Sequence, residues 1–283
     1  MKKHIAGIVP VSGLRADFNM PWHESLMPIS PGYLAIERAV AECAYAGCST
    51  IWIVCNDDVT PLVRYQVGEK IQDPVYAYRH FEHCKNDVKR PIRIYYTPLA
   101  IRDINKRDNL AWSAIFGAKT AHNISKRISK WLTPDKFYIS WPYGYYDPSC
   151  VREHRKTILE TDFIFTHDSK TIKDNLYLGA TLRIDQINQL MGEVRQKSTG
   201  MWKDREKKER LPITDRFSYR NFDLSTVFDS IDIKNYQHGE IRKYYPIDSW
   251  EKYKYFLSSE EEVNKPFFLN TSEWNEIGYD EEV

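Results

Sequence analysis

Residues 4–55 read HIAGIVPVSGLRADFNMPWHESLMPISPGYLAIERAVAECAYAGCSTIWIVC, and this stretch decides the fold. Ile5-Ala6-Gly7-Ile8-Val9 is apolar at every position, the pattern of a strand covered on both faces of a sheet. Ser12-Gly13 then turns the chain, and Pro21, Pro28 and Pro31 punctuate a long loop. From Tyr33 to Ala46 the apolar residues Leu34, Ile36, Ala39, Val40 and Cys43 recur at helical spacing, and Gly47 stands where helices commonly stop. Thr50 to Cys55 is a second run of buried-strand character. Strand, loop, helix, strand is a βαβ unit, which implies parallel pairing and a right-handed crossover.

The alternation continues outward. Pro61 to Gly68 reads as a helix, Pro91 to Tyr96 as a strand, and Asn109 to Ile124 as a helix with Leu110, Ala111, Ala114, Ile115, Ala118 and Ala121 on one face. Lys136 to Ser140 and Thr161 to Thr166 read as further strands. The expected fold is α/β: a Rossmann-like, mixed but mostly parallel sheet with helices on both faces. After Gln196 the run QKSTGMWKDREKKERLP carries mixed charge without apolar periodicity and reads as an exposed loop or helix with a solvated face. Trp250 to Ser258 reads as a helix capped by Asp248 or Ser249. The expected organisation is one domain over residues 1–258, followed by an acidic, aromatic tail over 259–283 that docks through Phe267, Phe268 and Trp274.

The bulk numbers restrict the function classes. Lys and Arg total 40 against 39 Asp and Glu, a net charge of +1 in 283 residues. That balance offers no basic excess for duplex nucleic acid or a membrane surface, so neither is an expected partner. No apolar stretch approaches a membrane span, and the basic start MKKHIAGIVPVSG has too short an apolar run for a secretion signal. Five cysteines, Cys43, Cys48, Cys55, Cys84 and Cys150, form no regular framework and imply free thiols in a cytoplasmic, reducing setting. The 19 Tyr and 8 Trp suit half-wet surfaces: ligand clefts, or the interface of a homo-oligomer.

Ligands of open α/β sheets bind beyond the carboxyl ends of the strands, which singles out the first loop. There Gly13 lets backbone approach a phosphate, the amides of Ser12, Gly13 and Leu14 can face its oxygens, and Arg15 offers a two-pronged grip on an anion. A plain turn with a surface arginine explains the same residues. Asp108-Asn109 fits a helix cap, and a cap lying over a phosphate serves both roles. Asn56-Asp57-Asp58 fits a turn before a helix, with a nucleotide or metal contact as the other reading. His80, His83 and Cys84 lack a second cluster with zinc spacing and read as a surface helix. Asp147-Pro148-Ser149 reads either as a helix start or as a metal carboxylate. No Ser-His-Asp or Cys-His context supports covalent hydrolysis.

The series GIVPVSGLRADFNMPWHESLMPI, a helix, then GCSTIWIVCND resembles the opening of the sugar-phosphate nucleotidyltransferase (NTP-transferase) superfamily. Gly13 falls on that family's loop glycine, and Pro21, Leu26, Pro28 and Ile29 fall on its later anchor positions. RDNLAWSAIFGA from Arg107, FYISWPYGYYDP and YYPIDSWEKYKYFLSS are similar, in order, to its nucleotide-contacting helix, its first metal strand and its second metal segment. The resemblance implies a GT-A-like nucleotidyltransferase fold. It implies an enzyme that takes an NTP and a sugar phosphate or similar small acceptor, transfers the nucleoside monophosphate and releases pyrophosphate. It also implies Mg2+ held by Asp248; the family's first metal aspartate is missing, and Asp147, a few residues on, is the residue that can replace it. The chain departs from the pattern at three places: Asp17 stands at the family's arginine, Trp22 at its lysine, and Trp141-Pro142 near its first metal aspartate. Arg15 and His23 are the residues that can restore the lost positive charge, and on that ground they are the candidate catalytic pair. A GT-A-type glycosyltransferase using a nucleotide sugar, or a non-catalytic binding or scaffold protein on the same fold, are the alternatives.

Overall fold

A computed structural model describes residues 3–13, 22–77, 91–104, 106–107, 109–198, 222–259 and 261–269. In chain order the elements are β1 (Ile5–Pro10), β2 (Pro28–Ser30), β3 (Tyr33–Leu34), α1 (Ala35–Tyr45), β4 (Thr50–Val54), α2 (Thr60–Val67), β5 (Lys70–Gln72), α3 (Pro74–Ala77) and β6 (Pro91–Thr97). They continue with α4 (Ile101–Ile104), α5 (Leu110–Ile128), β7 (Lys136–Ile139), β8 (Gly144–Tyr145), α6 (Val151–Glu160), β9 (Phe163–Thr166), β10 (Ala180–Leu182) and α7 (Ile184–Lys197). The last are α8 (Leu224–Phe228), β11 (Gln237–Glu240), β12 (Tyr245–Pro246) and α9 (Trp250–Leu257).

Among the described residues eight strands form one sheet in the order β11-β9-β10-β7-β1-β4-β6-β5. The centre is parallel: β1 lies between β4 and β7, with Ile8 opposite Trp52 on one side and Ile139 on the other. β10 runs antiparallel to both β7 and β9, and β5 runs antiparallel to β6. The sheet is therefore mixed and mostly parallel, and β1 is apolar throughout because both of its faces are covered. Ile5 and Val9 face a core shared with α1 and α6, while Ala6 and Ile8 face one shared with α5 and α7. On β4 the same period of two sends Ile51 and Ile53 one way and Trp52 and Val54 the other. Close approach of α5 depends on Gly117, where an added Cβ would lie 3.1 Å from Ile8 Cγ2 and nearer still to Val54.

Two helices differ in extent from the sequence reading. α1 starts at Ala35, two residues late, because Tyr33 and Leu34 pair with Pro28 and Ser30 instead. α5 runs on past Ile124 to Ile128, and its last turn carries Lys126 and Arg127, cations suited to the negative end of a helix.

A charged cluster lies inside the first core. Arg38 and Glu42, both fully buried on α1, form an ion pair at 3.0 Å. Glu42 also accepts hydrogen bonds from Tyr138 (2.6 Å), Tyr146 (2.5 Å) and Ser140 (2.5 Å), and Arg38 donates to the Trp141 carbonyl at 2.6 Å. Burial alone would lower the Arg38 pKa; the Glu42 carboxylate outweighs it and keeps the guanidinium protonated. Burial and Glu42 together push the hydroxyls of Tyr138 and Tyr146 well above the ordinary tyrosine value. The three hydroxyls and Arg38 satisfy the Glu42 carboxylate, whereas Arg38 Nε and Nη1 have no hydrogen-bond partner among the described residues, an uncompensated cost of burying the pair.

All eleven residues of α1 are buried, so the helix has no wet face. Later parts of the chain supply the cover. The Tyr253 hydroxyl donates to the Pro28 carbonyl at 2.7 Å, and Lys265 Nζ binds Glu37 at 2.7 Å and the Gly32 carbonyl at 2.9 Å. Phe268 meets Tyr45 edge to face with ring centroids 5.2 Å apart. Of the aromatics expected to dock the C-terminal segment, Phe268 is buried, Phe267 is half exposed, and Trp274 lies outside the described residues.

Candidate active site

The parallel strands deliver their loops to one end of the sheet. β1 ends at Pro10, and the amides of Val11 and Ser12 both donate to the Val54 carbonyl, at 2.9 and 2.8 Å, so the loop leaves β1 hooked onto β4. Gly13 follows with φ +150°, and a Cβ there would lie 2.6 Å from Leu110 N and 2.8 Å from Asn109 C. Only glycine fits: the backbone conformation and the contact each exclude a side chain. Ser113 on α5 donates its hydroxyl to the Ser12 carbonyl, which ties loop to helix a second time. The Ser12 hydroxyl is buried and has no hydrogen-bond partner among the described residues.

α5 begins at this contact. Asn109 caps it, accepting the Trp112 amide at 2.8 Å. The first amides of a 19-residue helix carry partial positive charge and favour an anion nearby. A cavity of about 260 Å³ opens there, lined by Asn109, Leu110, Tyr177 and Leu224, with the carboxylates of Asp223 and Asp248 also on its wall. Asp248 pairs with Lys252 at 2.7 Å, one helical turn on. Burial, followed by the charges of Asp248, Tyr244 and Asp223, raises the Tyr177 hydroxyl well above its ordinary value. Tyr143 joins the two sides: its hydroxyl reaches the Val11 carbonyl at 3.4 Å, its ring lies 5.8 Å from that of Tyr177, and its carbonyl accepts the Ile247 amide at 2.9 Å.

Of the residues singled out in the sequence, Gly13 and Asn109 touch, and Asn109 and Asp248 share the cavity. Ser12 stands beside them through Ser113. Leu14, Arg15 and Asp108 lie outside the described residues, as do His80, His83 and Cys84. His23 holds the turn of residues 24–26: its Nδ1 accepts the Ser25 amide at 3.3 Å. Asp147 is exposed and does not line the cavity; its carboxylate accepts from the Ser149 amide at 2.9 Å and the Ser149 hydroxyl at 2.5 Å. The cavity's second carboxylate is instead Asp223, which the sequence reading passed over. Asp223 occupies the N-cap position of α8 yet makes no side-chain cap bond. In sequence the motif Asn221-Phe222-Asp223-Leu224 is indistinguishable from an ordinary cap.

Two acidic residues lining one cavity next to a helix N-terminus are of the type Mg2+ takes, since it commonly uses one or two protein carboxylates and fills its remaining positions with water and substrate phosphates. No cluster of three or more metal-ligating side chains occurs among the described residues. Such a cluster is the mark of an all-protein cage, which Mg2+ does not require.

Most of the chain aligns with solved structures of nucleotidyltransferases. A protein described as a glucose-1-phosphate thymidylyltransferase from Bacillus anthracis, in complex with sucrose, superposes with a TM-score of 0.53 at 11% identity, over 94% of this chain and 99% of that one. The fold is that of the sugar-phosphate nucleotidyltransferases. A UDP-glucose pyrophosphorylase complexed with UDP-glucose gives a TM-score of 0.50 at 13% identity, over 90% of this chain and 97% of that one. No protein-family model and no curated protein matches the sequence. The likeness to these nucleotidyltransferases is thus one of architecture, with the sequence far diverged. No helix among the described residues is long and apolar enough to cross a membrane.

Proposed function

We propose that the chain is a nucleotidyltransferase that moves a nucleoside monophosphate from an NTP to a sugar phosphate or similar small acceptor, releasing pyrophosphate. The observation that supports this reading is the meeting of the Ser12–Gly13 loop with the first turn of α5, which itself lines a cavity that also carries Asp223 and Asp248. A glycine turn and a helix N-terminus receive phosphates, and carboxylates across the same space receive a cation; nucleotidyl transfer needs both.

In this reading the triphosphate lies against Gly13 and the amides that open α5, with the Ser12 hydroxyl available to it as a donor. An oxygen of the acceptor's phosphate attacks the α-phosphorus in line, and the bond to the β-phosphate oxygen breaks to free pyrophosphate. Asp248 and Asp223 are the residues that would hold Mg2+, which when bound offsets the charge on the α-phosphate and the departing pyrophosphate. Arg15 is assigned the positive charge that the loop lacks elsewhere. His23 keeps a positioning role, since its Nδ1 braces the turn at Ser25. Tyr177 lines the cavity as a neutral hydroxyl.

The test is a thermal-shift series with the four NTPs and with UDP- and GDP-sugars, each with and without Mg2+, followed by a pyrophosphate-release assay with sugar 1-phosphates. A ligand that binds only the native state raises its apparent stability, by about 2.7 kcal/mol at a hundredfold excess over Kd. An Mg2+-dependent shift with one NTP, and pyrophosphate release, is the expected result. A shift with nucleotide sugars but no NTP would move the protein to the glycosyltransferases. The absence of any Mg2+-dependent nucleotide binding would leave a binding protein on this fold.

A further inference from the structure

On the face of the sheet that carries α5 and α7, a cleft of about 380 Å³ runs between the two helices, with Arg102, Lys119 and Arg195 on its walls. It shares Arg102 and Arg195 with an adjoining hollow of about 290 Å³ that adds Lys106 and Arg107. Neither space shares a lining residue with the cavity of Asn109 and Asp248. Five cations therefore line this groove, and Asp103 is the one carboxylate among its lining residues. Asp103 is already engaged, in a 2.8 Å ion pair with Arg107. In a chain whose net charge is +1, this is a marked local concentration of positive potential.

The groove is also braced. Lys119 is fixed by Asn188 at 2.7 Å, and Arg107 is held over the Trp112 ring at 5.3 Å and donates to Ser198 at 3.2 Å. Among the described residues the buried Arg107 Nε has no hydrogen-bond partner, and it is a donor that a ligand can satisfy. Between them the floor is open: an added Cβ on Gly192 meets nothing within 4 Å.

We propose that this groove binds a small oligophosphate, a ligand with at least two linked phosphate groups, at a site separate from the Asp248 cavity. Arg102 and Arg195 stand on its rim with no ion pair to any described acid, and arginine forks match phosphate oxygens two at a time. The size fits a compact ligand, since small-molecule sites begin near about 300 Å³. The proposal does not rest on the nucleotidyl-transfer reading. Its ligand is either a free oligophosphate or the phosphate chain of a nucleotide, and the two are told apart by comparing tripolyphosphate with ATP.

The experiment is calorimetric titration of the full chain with sodium tripolyphosphate in the presence of EDTA, which removes metal-dependent binding. Wild type is expected to bind with an affinity that falls as salt rises, and orthophosphate to bind at least about tenfold more weakly. Arg102→Ala/Arg195→Ala should lose about tenfold or more in affinity. Gly192→Glu places a carboxylate in open space on a helix, so it should keep the thermal stability and abolish binding. Asp248→Asn should bind as wild type does, which keeps this site distinct from the proposed active site. ATP tighter than tripolyphosphate would identify a nucleotide ligand, and equal affinities a free oligophosphate. Unchanged binding in both groove variants, or no binding of tripolyphosphate at millimolar concentration, would overturn the proposal. So would single-stranded DNA whose affinity for the groove grows with length, since that marks a nucleic-acid track instead.

Discussion

Gly13 lies against the backbone of Leu110, so closely that a methyl group on Gly13 would come within 2.6 Å of the Leu110 amide nitrogen. The loop that leaves the first strand is thereby registered on the first turn of α5. Gly13→Ala is expected to displace that loop, because the substitution meets both a positive φ and a fixed backbone. The cost should be at least about 1–2 kcal/mol of stability, read by denaturant unfolding. Affinity for the NTP that shifts the wild-type protein should fall about tenfold or more, since the phosphate-facing amides move with it.

The two acids of the cavity and the acid outside it should behave differently. Asp223→Asn and Asp248→Asn are each expected to weaken Mg2+-dependent nucleotide binding while leaving metal-free stability within about 1 kcal/mol of wild type. Asp147→Asn should leave nucleotide binding untouched. Its effect should be confined to about 0.5–1 kcal/mol of stability from the altered cap at Ser149. Equal loss of Mg2+ dependence in Asp147→Asn would return that residue to the site.

The ion pair inside α1 should be unequal in its two halves. Without Arg38, Glu42 retains three hydroxyl donors; without Glu42, Arg38 retains the Trp141 carbonyl and the face of the Tyr146 ring but no counter-charge. Glu42→Gln is therefore expected to cost about 3–5 kcal/mol and Arg38→Met distinctly less. Chemical denaturation of both variants checks the order, and a reversed order would show that the guanidinium, not the carboxylate, organises the cluster.

Alkali should unfold the protein earlier than its net charge would suggest. Burial pushes the Cys55 thiol up from 9.0 to about 11 and the Cys150 thiol to about 12, and it pushes Tyr145 and Tyr236 from 10.0 to about 12. In the folded chain these groups hold their protons to higher pH than in the unfolded chain. Their contribution to stability is complete below about pH 9 and is lost as the pH climbs toward 12. Unfolding free energies at pH 8 and at pH 10.5, set beside the tyrosinate absorbance of the folded protein, measure this. A stability that holds level across that interval would contradict it.

The central fold was legible because β1 and β4 are nearly continuous apolar runs, while the apolar residues of α1 recur at helical spacing. The distal half was harder to read. β11 is Gln-His-Gly-Glu, a strand with no apolar residue, and only its pairing to β9 reveals it. α6 shows mostly charged residues and buries only Val151 and Ile158, so its period is faint. β10 is three residues long and antiparallel, and a lone strand of that length carries no directional signal. Of the residues lining the cavity, Asn109 and Asp248 stood out in the sequence through their place in an ordered series of segments. Asp223 did not, because nothing local separates a carboxylate that caps a helix from one that merely occupies the cap position.

The covering of α1 by Lys265 and Phe268 has a consequence for biogenesis. During translation the N-terminal strand-helix-strand unit leaves the ribosome long before its cover does, and until then Tyr45 and Glu37 face solvent without Phe268 and Lys265. Until Lys265 and Phe268 emerge, α1 lacks this part of its cover. Chaperone engagement, rather than early autonomous collapse, is the expected fate of the half-made protein.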